Sequence, residues 1–287
     1  MTALLTEFAP AKINLTLRVT GRRADGYHTL ESLVAFATAG DRLALAPGGE
    51  KVLSVSGEFA AACGTSADNL VTKAAAALGG QIARLQSGHF FLDKRIPVAA
   101  GLGGGSADAA AALRLLARLN SVSLDDPRML AAARAVGADV PVCLDPRAKI
   151  MRGAGEELSA QIALPRLDTL LVNPGVAVVT RDVFAAFEQK HASARPLGEV
   201  PKGREPLLAW LAAAGNDLTT AATIRAPVIR EVLAKLAALP GCRLARMSGS
   251  GGTCFALFDG ADETEAAAAG LRATQPDWWV RPTVLGQ

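Results

Sequence analysis

Pro97-Val98-Ala99-Ala100-Gly101-Leu102-Gly103-Gly104-Gly105-Ser106-Ala107-Asp108 decides how this chain is read. Its glycines at 101, 103, 104 and 105 remove the side chains that would hold a ligand off the backbone, and they admit φ > 0. An alanine-rich run, Ala109–Ala112 with Leu113, Leu115 and Leu116, follows at once and predicts a helix, with Ser106 placed to cap it. Backbone N–H groups ahead of a helix N-terminus form an anion nest, and a polyphosphate suits it. The bland alternative is a linker or a plain strand–helix turn, but linkers rarely run into a strong helix former without a polar spacer. No Gly-Lys-Ser/Thr closes the loop and Gly-x-Gly-x-x-Gly does not fit it, so neither the P-loop nor the dinucleotide fingerprint applies. A lysine for the nucleotide must come from elsewhere.

Outward from the loop, Ser87–Ile96 predicts a strand feeding it, and residues 124–136 a helix stopped at Gly137. Asp68-Asn69 precede a capped helix over Leu70–Leu78. At the start of the chain Ala11, Ile13, Leu15, Leu17 and Val19 alternate with Lys12, Asn14, Thr16 and Arg18. That pattern predicts a half-buried strand with a polar face free for a ligand. Gly21–His28 reads as a loop, Leu30–Phe36 and Asp41–Leu45 as further strands. Downstream, Thr169–Val172 predicts a strand and 181–190 a helix. Residues 189–206 read as a mobile surface loop, and Ala226–Leu239 as a helix with Pro227 in its first turn. Gly241–Phe258 reads as strand, loop, strand, and Asp262–Ala273 as a helix before a short terminal strand. Two α+β halves meeting near 155–165 fit this order.

Composition narrows the class. The chain has 287 residues, half of them hydrophobic, and a formal charge of +3, which gives nucleic-acid or membrane-surface binding little support. Cys63, Cys143, Cys242 and Cys254 are scattered, with no C-x-x-C, as suits a reducing compartment better than a zinc site or disulfide framework. No basic region precedes an apolar core near the N-terminus and no apolar run reaches membrane-spanning length, so a cytoplasmic protein is expected.

Three further spots carry possible chemistry. Lys12 and Asn14 share a strand face, which by default is merely solvated. Asp139 stands in Gly137-Ala138-Asp139-Val140-Pro141, where an Asx-turn or cap is the local reading. Met247-Ser248-Gly249-Ser250-Gly251-Gly252-Thr253 is a second glycine-rich loop, either a hairpin connection or a second set of free N–H groups for a charged substrate.

Together these segments resemble the GHMP kinases. Pro97–Ala107 resembles the family's central signature, while Lys12 in Pro-Ala-Lys-Ile-Asn and Ser248–Thr253 resemble its first and third motifs, in order. Within the family, Asp25-Gly26-Tyr27-His28 and Gly137–Pro141 are most similar to the branch that phosphorylates a cytidine-diphosphate-linked polyol on the non-mevalonate route to isoprenoid precursors. The resemblance implies an α+β two-domain fold. Residues 1–160 would form a domain like the second domain of ribosomal protein S5, and 161–287 a ferredoxin-like one. It implies ATP and Mg²⁺, with Gly101–Ser106 on the phosphates and Asn69 and Lys94 near the adenosine.

By the same resemblance Asp139 is the base beside the acceptor hydroxyl, with Lys12 next to it. A carboxylate orients an alcohol and takes its proton, and a nearby ammonium steadies the transferring phosphoryl group. Tyr27 and His28 correspond to residues that stack on and hydrogen-bond the cytosine, and Phe184 to an aromatic on its other side, though helix packing also accounts for Phe184. Asn14, Thr180 and the residues Ser248, Gly249, Ser250 and Gly251 correspond to substrate contacts. His89 reads as structural or surface, not catalytic. Asp108 is given no role, and no residue matches the glutamate that several relatives use for magnesium, so the metal's protein ligands are unassigned. A monomer or weak homodimer, without nucleic-acid or membrane partners, is expected. The rivals are another GHMP small-molecule kinase, of homoserine or mevalonate type, and a non-catalytic ATP sensor; the Asp25–His28 loop argues against the first and retention of Lys12 with Asp139 against the second.

Overall fold

Caps and glycines set most element boundaries along this chain. The computed structural model describes every residue except 1–3, 25, 27, 188–195 and 287. In order, the first half holds β1 (Leu5–Asn14), β2 (Arg18–Arg22), β3 (His28–Ser56), α1 (Leu70–Gln81), β4 (Gly88–Asp93), α2 (Gly104–Leu119), α3 (Pro127–Val136) and α4 (Val140–Leu144). Then come β5 (Lys149–Gly153), β6 (Glu157–Leu158), β7 (Leu167–Asn173), α5 (Thr180–Ala186), α6 (Arg204–Ala214), α7 (Thr219–Arg225), α8 (Val228–Ala237), β8 (Leu244–Met247), β9 (Cys254–Phe258), α9 (Ala261–Thr274) and β10 (Trp279–Leu285).

The chain divides into two compact units that interleave along the sequence. The first comprises residues 1–12, 40–98 and 103–146; the second 13–39, 99–102 and 147–287. In the first unit α2 packs against α1, α3 and α4, and its residues Ala107–Ala117 are buried without a break. Alanine is what lets three helices approach a fourth from several sides. Asn69 caps α1 by accepting the Val71 N–H at 2.9 Å, and Asp126 caps α3 by accepting the Arg128 N–H at 2.9 Å. β4 pairs with both ends of the stretch Arg42–Ser56 of β3.

In the second unit β10, β7, β9 and β8 form an antiparallel sheet in that order, with Trp279 opposite Asn173 and Leu285 opposite Leu167. α8 and α9 pack on it. Ile229, Val232 and Leu236 of α8 join Ala268 and Leu271 of α9 over Leu170, Val172, Ala256 and Phe258 of the sheet. Leu17 and Val19, far upstream in sequence, complete that same core. The early part of β3 pairs antiparallel with β2 and with β5, Leu30 opposite Gly153.

The structure corrects several expectations. Leu30–Phe36 and Asp41–Leu45 are one strand, because Gly40 lies flat in β3 instead of turning it. The opening alternation breaks after Asn14, and its polar face is buried: Lys12 and Asn14 are each 4% exposed. Gly21, Arg22 and His28 lie in strands, so the loop between them is shorter than expected. Ser106 does not cap α2; it is the helix's third residue, and Gly103 in the left-handed conformation is the N-cap. Asp139 precedes α4 without making a side-chain cap, since its carboxylate is taken elsewhere. Residues 204–206 open α6, so the surface loop cannot extend to 206, and its portion 189–195 lies outside the described residues; α5 ends at Ala186 with Phe187 extended, short of the helix expected over 181–190, whose positions 188–190 also lie outside the described residues. α7 has no counterpart among the elements expected from the sequence.

Candidate active site

In the first unit, Lys12 Nζ donates to Asp139 Oδ2 at 2.8 Å. The lysine side chain is 5% exposed and the aspartate 37%, so a buried cation sits behind a carboxylate that solvent or a substrate can reach. β1 delivers Lys12; the end of α3 at Gly137 and the start of α4 deliver Asp139. Gly103 has φ +60°, and a Cβ there would stand 3.2 Å from both Cβ and Cε of Lys12. A glycine at that position therefore serves both the helix cap and the space for the lysine. The first turn of α2 presents its N–H groups with no side chain capping them, and Gly105 is exposed while Gly104 and Ser106 are partly so. Asn69 spends its carbonyl oxygen on the α1 cap. Lys94 is 2% exposed, its ammonium held between Asp41 and Asp108.

In the second unit, Ala99–Leu102 and the loop Ser248–Thr253 approach so closely that only glycine fits. Gly101 has φ +74°, and a Cβ there would run into the carbonyl oxygen of Gly251. Ser248, wholly buried, accepts the Asn14 N–H at 3.1 Å and donates to the Gly101 carbonyl at 3.0 Å. Asn14 itself donates to Ser32 Oγ at 2.7 Å. The hydroxyls of Thr180 and Ser250 lie 2.8 Å apart. The His28 ring stacks on Phe184 with centroids 5.1 Å apart and meets Phe187 edge-on at 5.9 Å. Phe184 also rests against the hydrophobic core that includes Val183 and Phe187, as its helix-packing reading expects. Burial, with the charge of Arg22 adding to it, lowers the His28 pKa below its ordinary value. Tyr27 lies outside the described residues. His89 stacks on Phe91 at 4.1 Å and meets Ser54 Oγ at 2.7 Å, contacts that suit its structural reading.

Residues 69–145 match the family model described as "GHMP kinases N terminal domain", and residues 200–277 that described as "GHMP kinases C terminal". The chain belongs to the GHMP kinases. Among similar curated proteins, a 4-diphosphocytidyl-2-C-methyl-D-erythritol kinase of Rhodopseudomonas palustris (strain BisB18) is 55% identical, over 98% of this chain and 95% of its own. One of the same name from Methylorubrum extorquens is 53% identical over 99% of both. A crystal structure of a 4-(cytidine 5'-diphospho)-2C-methyl-D-erythritol kinase matches with TM-score 0.81 at 34% identity, over 99% of this chain and all of that one. A homoserine kinase from Cytophaga hutchinsonii matches at TM-score 0.71 and 16% identity, over 100% of this chain and 96% of its own, a likeness of fold alone.

This GHMP kinase is thus a small-molecule kinase with the family's two-domain α+β fold, and the expected S5-like and ferredoxin-like domain folds are consistent with it. Among its described residues no group of three or more His, Cys, Asp or Glu stands together as metal ligands, and no helix is long and apolar enough to cross a membrane. Sequence reasoning overlooks Asn216, whose amide donates at 2.9 Å to the carbonyls of Met247 and Gly249 and so braces the third-motif loop. It overlooks Asp41 too. Their decisive partners lie 31 to 55 positions away in the chain, and the one local bond, the Leu218 N–H to the Asn216 side chain at 3.0 Å, marks only an Asx-turn.

Proposed function

We propose that this chain transfers the γ-phosphoryl group of ATP to the 2-hydroxyl of 4-diphosphocytidyl-2-C-methyl-D-erythritol, within the non-mevalonate route to isoprenoid precursors. The Lys12–Asp139 pair, 2.8 Å apart and buried on the lysine side only, carries the chemical part of this reading. Asp139 accepts a hydrogen bond from the acceptor hydroxyl, aligns it and takes its proton as the new bond forms. Lys12 holds the Asp139 carboxylate in place from behind and offsets charge that develops on the transferring group. Phosphoryl transfer is loose, so alignment and charge stabilisation count for more than base strength. The free N–H groups at the start of α2, with the loop from Pro97 to Ala107, hold the nucleotide phosphates. Asn69 and Lys94 lie in the nucleotide half, as the family resemblance implies.

In the second unit, His28 and Phe184 offer a directional donor–acceptor and a ring face, which are what a cytosine needs. Tyr27, Asn14, Thr180 and Ser248–Gly251 belong to the same recognition set. Curated relatives at 53–55% identity over nearly the full chain, all bearing that enzyme's name, support the choice of substrate over a homoserine or mevalonate type. Mg²⁺ accompanies the nucleotide and neutralises its phosphate charge; the described residues hold no group of three or more His, Cys, Asp or Glu for it, and no step is assigned to it. The enzyme acts in the cytoplasm as a monomer or weak homodimer, without nucleic-acid or membrane partners. The matched family models fall on either side of residue 160, which supports a division into 1–160 and 161–287 at the family level.

The test is ADP release from Mg·ATP with and without the cytidine substrate, for wild type and Asp139→Asn in parallel. Substrate-dependent release is expected, falling about 10²–10⁴-fold in the variant while both KM values change little. Release with homoserine or mevalonate in place of the cytidine substrate would replace the proposed acceptor. ATP binding without turnover of any alcohol would make the chain a sensor.

A further inference from the structure

One buried charge cluster ties down both ends of the segment that carries the glycine loop, and its two aspartates, Asp41 and Asp108, have no part in the proposed reaction. Lys94, just beyond β4, donates through Nζ to Asp41 Oδ2 at 2.5 Å and to Asp108 Oδ2 at 2.7 Å. None of the three side chains is more than 3% exposed. Asp41 Oδ1 also accepts the N–H groups of Arg95, at 2.5 Å, and Ile96, at 3.0 Å, which ends β4 and fixes the chain where it leaves the strand. Asp108 is the fifth residue of α2, so its bond to Lys94 fixes the chain where it enters the helix. The same ammonium fills the space a side chain would need at Gly104, 3.0 Å from the Cβ position.

Buried ion pairs often add little net stability, but breaking one strands a charge, so they fix geometry well. Asp108 Oδ1 is buried with no hydrogen-bond partner among the described residues, so Lys94 is the cation on which this carboxylate depends. Burial pushes its carboxyl up to about 7; Lys94 opposes that shift and Asp41, competing for the same ammonium, reinforces it. Cys63, on the turn Ala60–Cys63, and Cys143, on α4, also feel the charge of Asp108.

We propose that Asp108 is a positioning residue for nucleotide binding: through Lys94 and Asp41 it clamps both ends of the loop and keeps the first-turn N–H groups of α2 open to phosphate. The inference rests on the nucleotide reading of that loop. An asparagine at 108 keeps an acceptor for Lys94; alanine and leucine keep none, and leucine also fills the space.

The experiment is calorimetric titration of ADP into wild type, Asp108→Asn, Asp108→Ala and Asp108→Leu, with steady-state kinetics on each and circular dichroism as the check of folding. Losing the anchor is expected to weaken ADP binding and raise KM for ATP about tenfold in the alanine and leucine variants. In the same variants kcat and KM for the cytidine substrate stay within about threefold, and Asp108→Asn restores ADP affinity to within about threefold of wild type. Unchanged ADP binding in a folded alanine or leucine variant overturns the inference and leaves the nucleotide reading intact. So does an asparagine variant as weak as alanine, or an equal loss for both substrates. Wild-type protein that binds no ADP overturns the nucleotide reading and the inference with it.

Discussion

Lys12 and Asp139 are 127 positions apart, and what each contributes depends on what its own backbone does there. Alternation places Lys12 on a polar strand face, but it cannot say that this face is buried, because burial of a strand is decided by what later folds over it. The pairing with Asp139 comes from motif resemblance, not from spacing. Asp41 shows the limit more plainly: a single acidic residue at the middle of a long strand carries no mark of the ammonium 53 positions downstream. At this scale the lowered pKa of His28 makes a prediction. A neutral imidazole offers cytosine one donor and one acceptor, whereas the cation offers only donors. A depressed pKa keeps His28 neutral at and above its ordinary value of 6.5, so KM for the cytidine substrate should be level from about pH 8 to about 6.5 and rise only below. His28→Gln, which has no proton to gain, should abolish that acid rise in a KM–pH profile. Retention of the rise would give it to another group.

Helices and strands are legible wherever a local signal ends them. Asn69 and Gly137 mark boundaries that can be read from sequence, whereas Asp126 caps α3 at Pro127, later than the expected start at 124. Sequence splits β3 in error because glycine usually breaks strands, while Gly40 is needed for close contact: a Cβ there would meet the carbonyl oxygen of Ala9. α7 escapes notice because it is only seven residues long, and α6 because it directly follows a stretch rich in proline and glycine. The element on which most depends is α2. Its buried alanines, Ala109 to Ala112, are wholly inaccessible and leave no slack for larger side chains. Ala111→Leu should therefore destabilise the protein by about 1–3 kcal/mol through overpacking, read by urea denaturation at unchanged m-value. Full stability in that variant would mean the helix contacts are looser than described.

At the scale of the whole molecule, two α+β halves can be foreseen, but not that the compact units exchange segments. The second takes residues 13–39 from near the start of the chain. Leu17, 4% exposed, and Val19, fully buried, pack with β7, β9, α8 and α9. The Val19 N–H donates to Asp217 at 2.8 Å, and Arg246 holds the Leu15 carbonyl at 2.9 Å. Leu17→Ala should cost about 2–5 kcal/mol, seen as a lowered Tm with KM for ATP unaffected. A separately expressed fragment 161–287 should be much less stable than the intact protein, because it lacks both side chains; a cooperative melt for that fragment would contradict this. Interleaving also has a consequence for the ribosome. Leu30 pairs with Gly153, and Val19 with Asp217, so the early strands emerge well over a hundred codons before their partners. At ordinary elongation speeds that is a wait of about ten seconds, with bare strand edges in a crowded cell. For this chain, translation rate and access to chaperones are therefore part of what determines how much kinase a cell obtains.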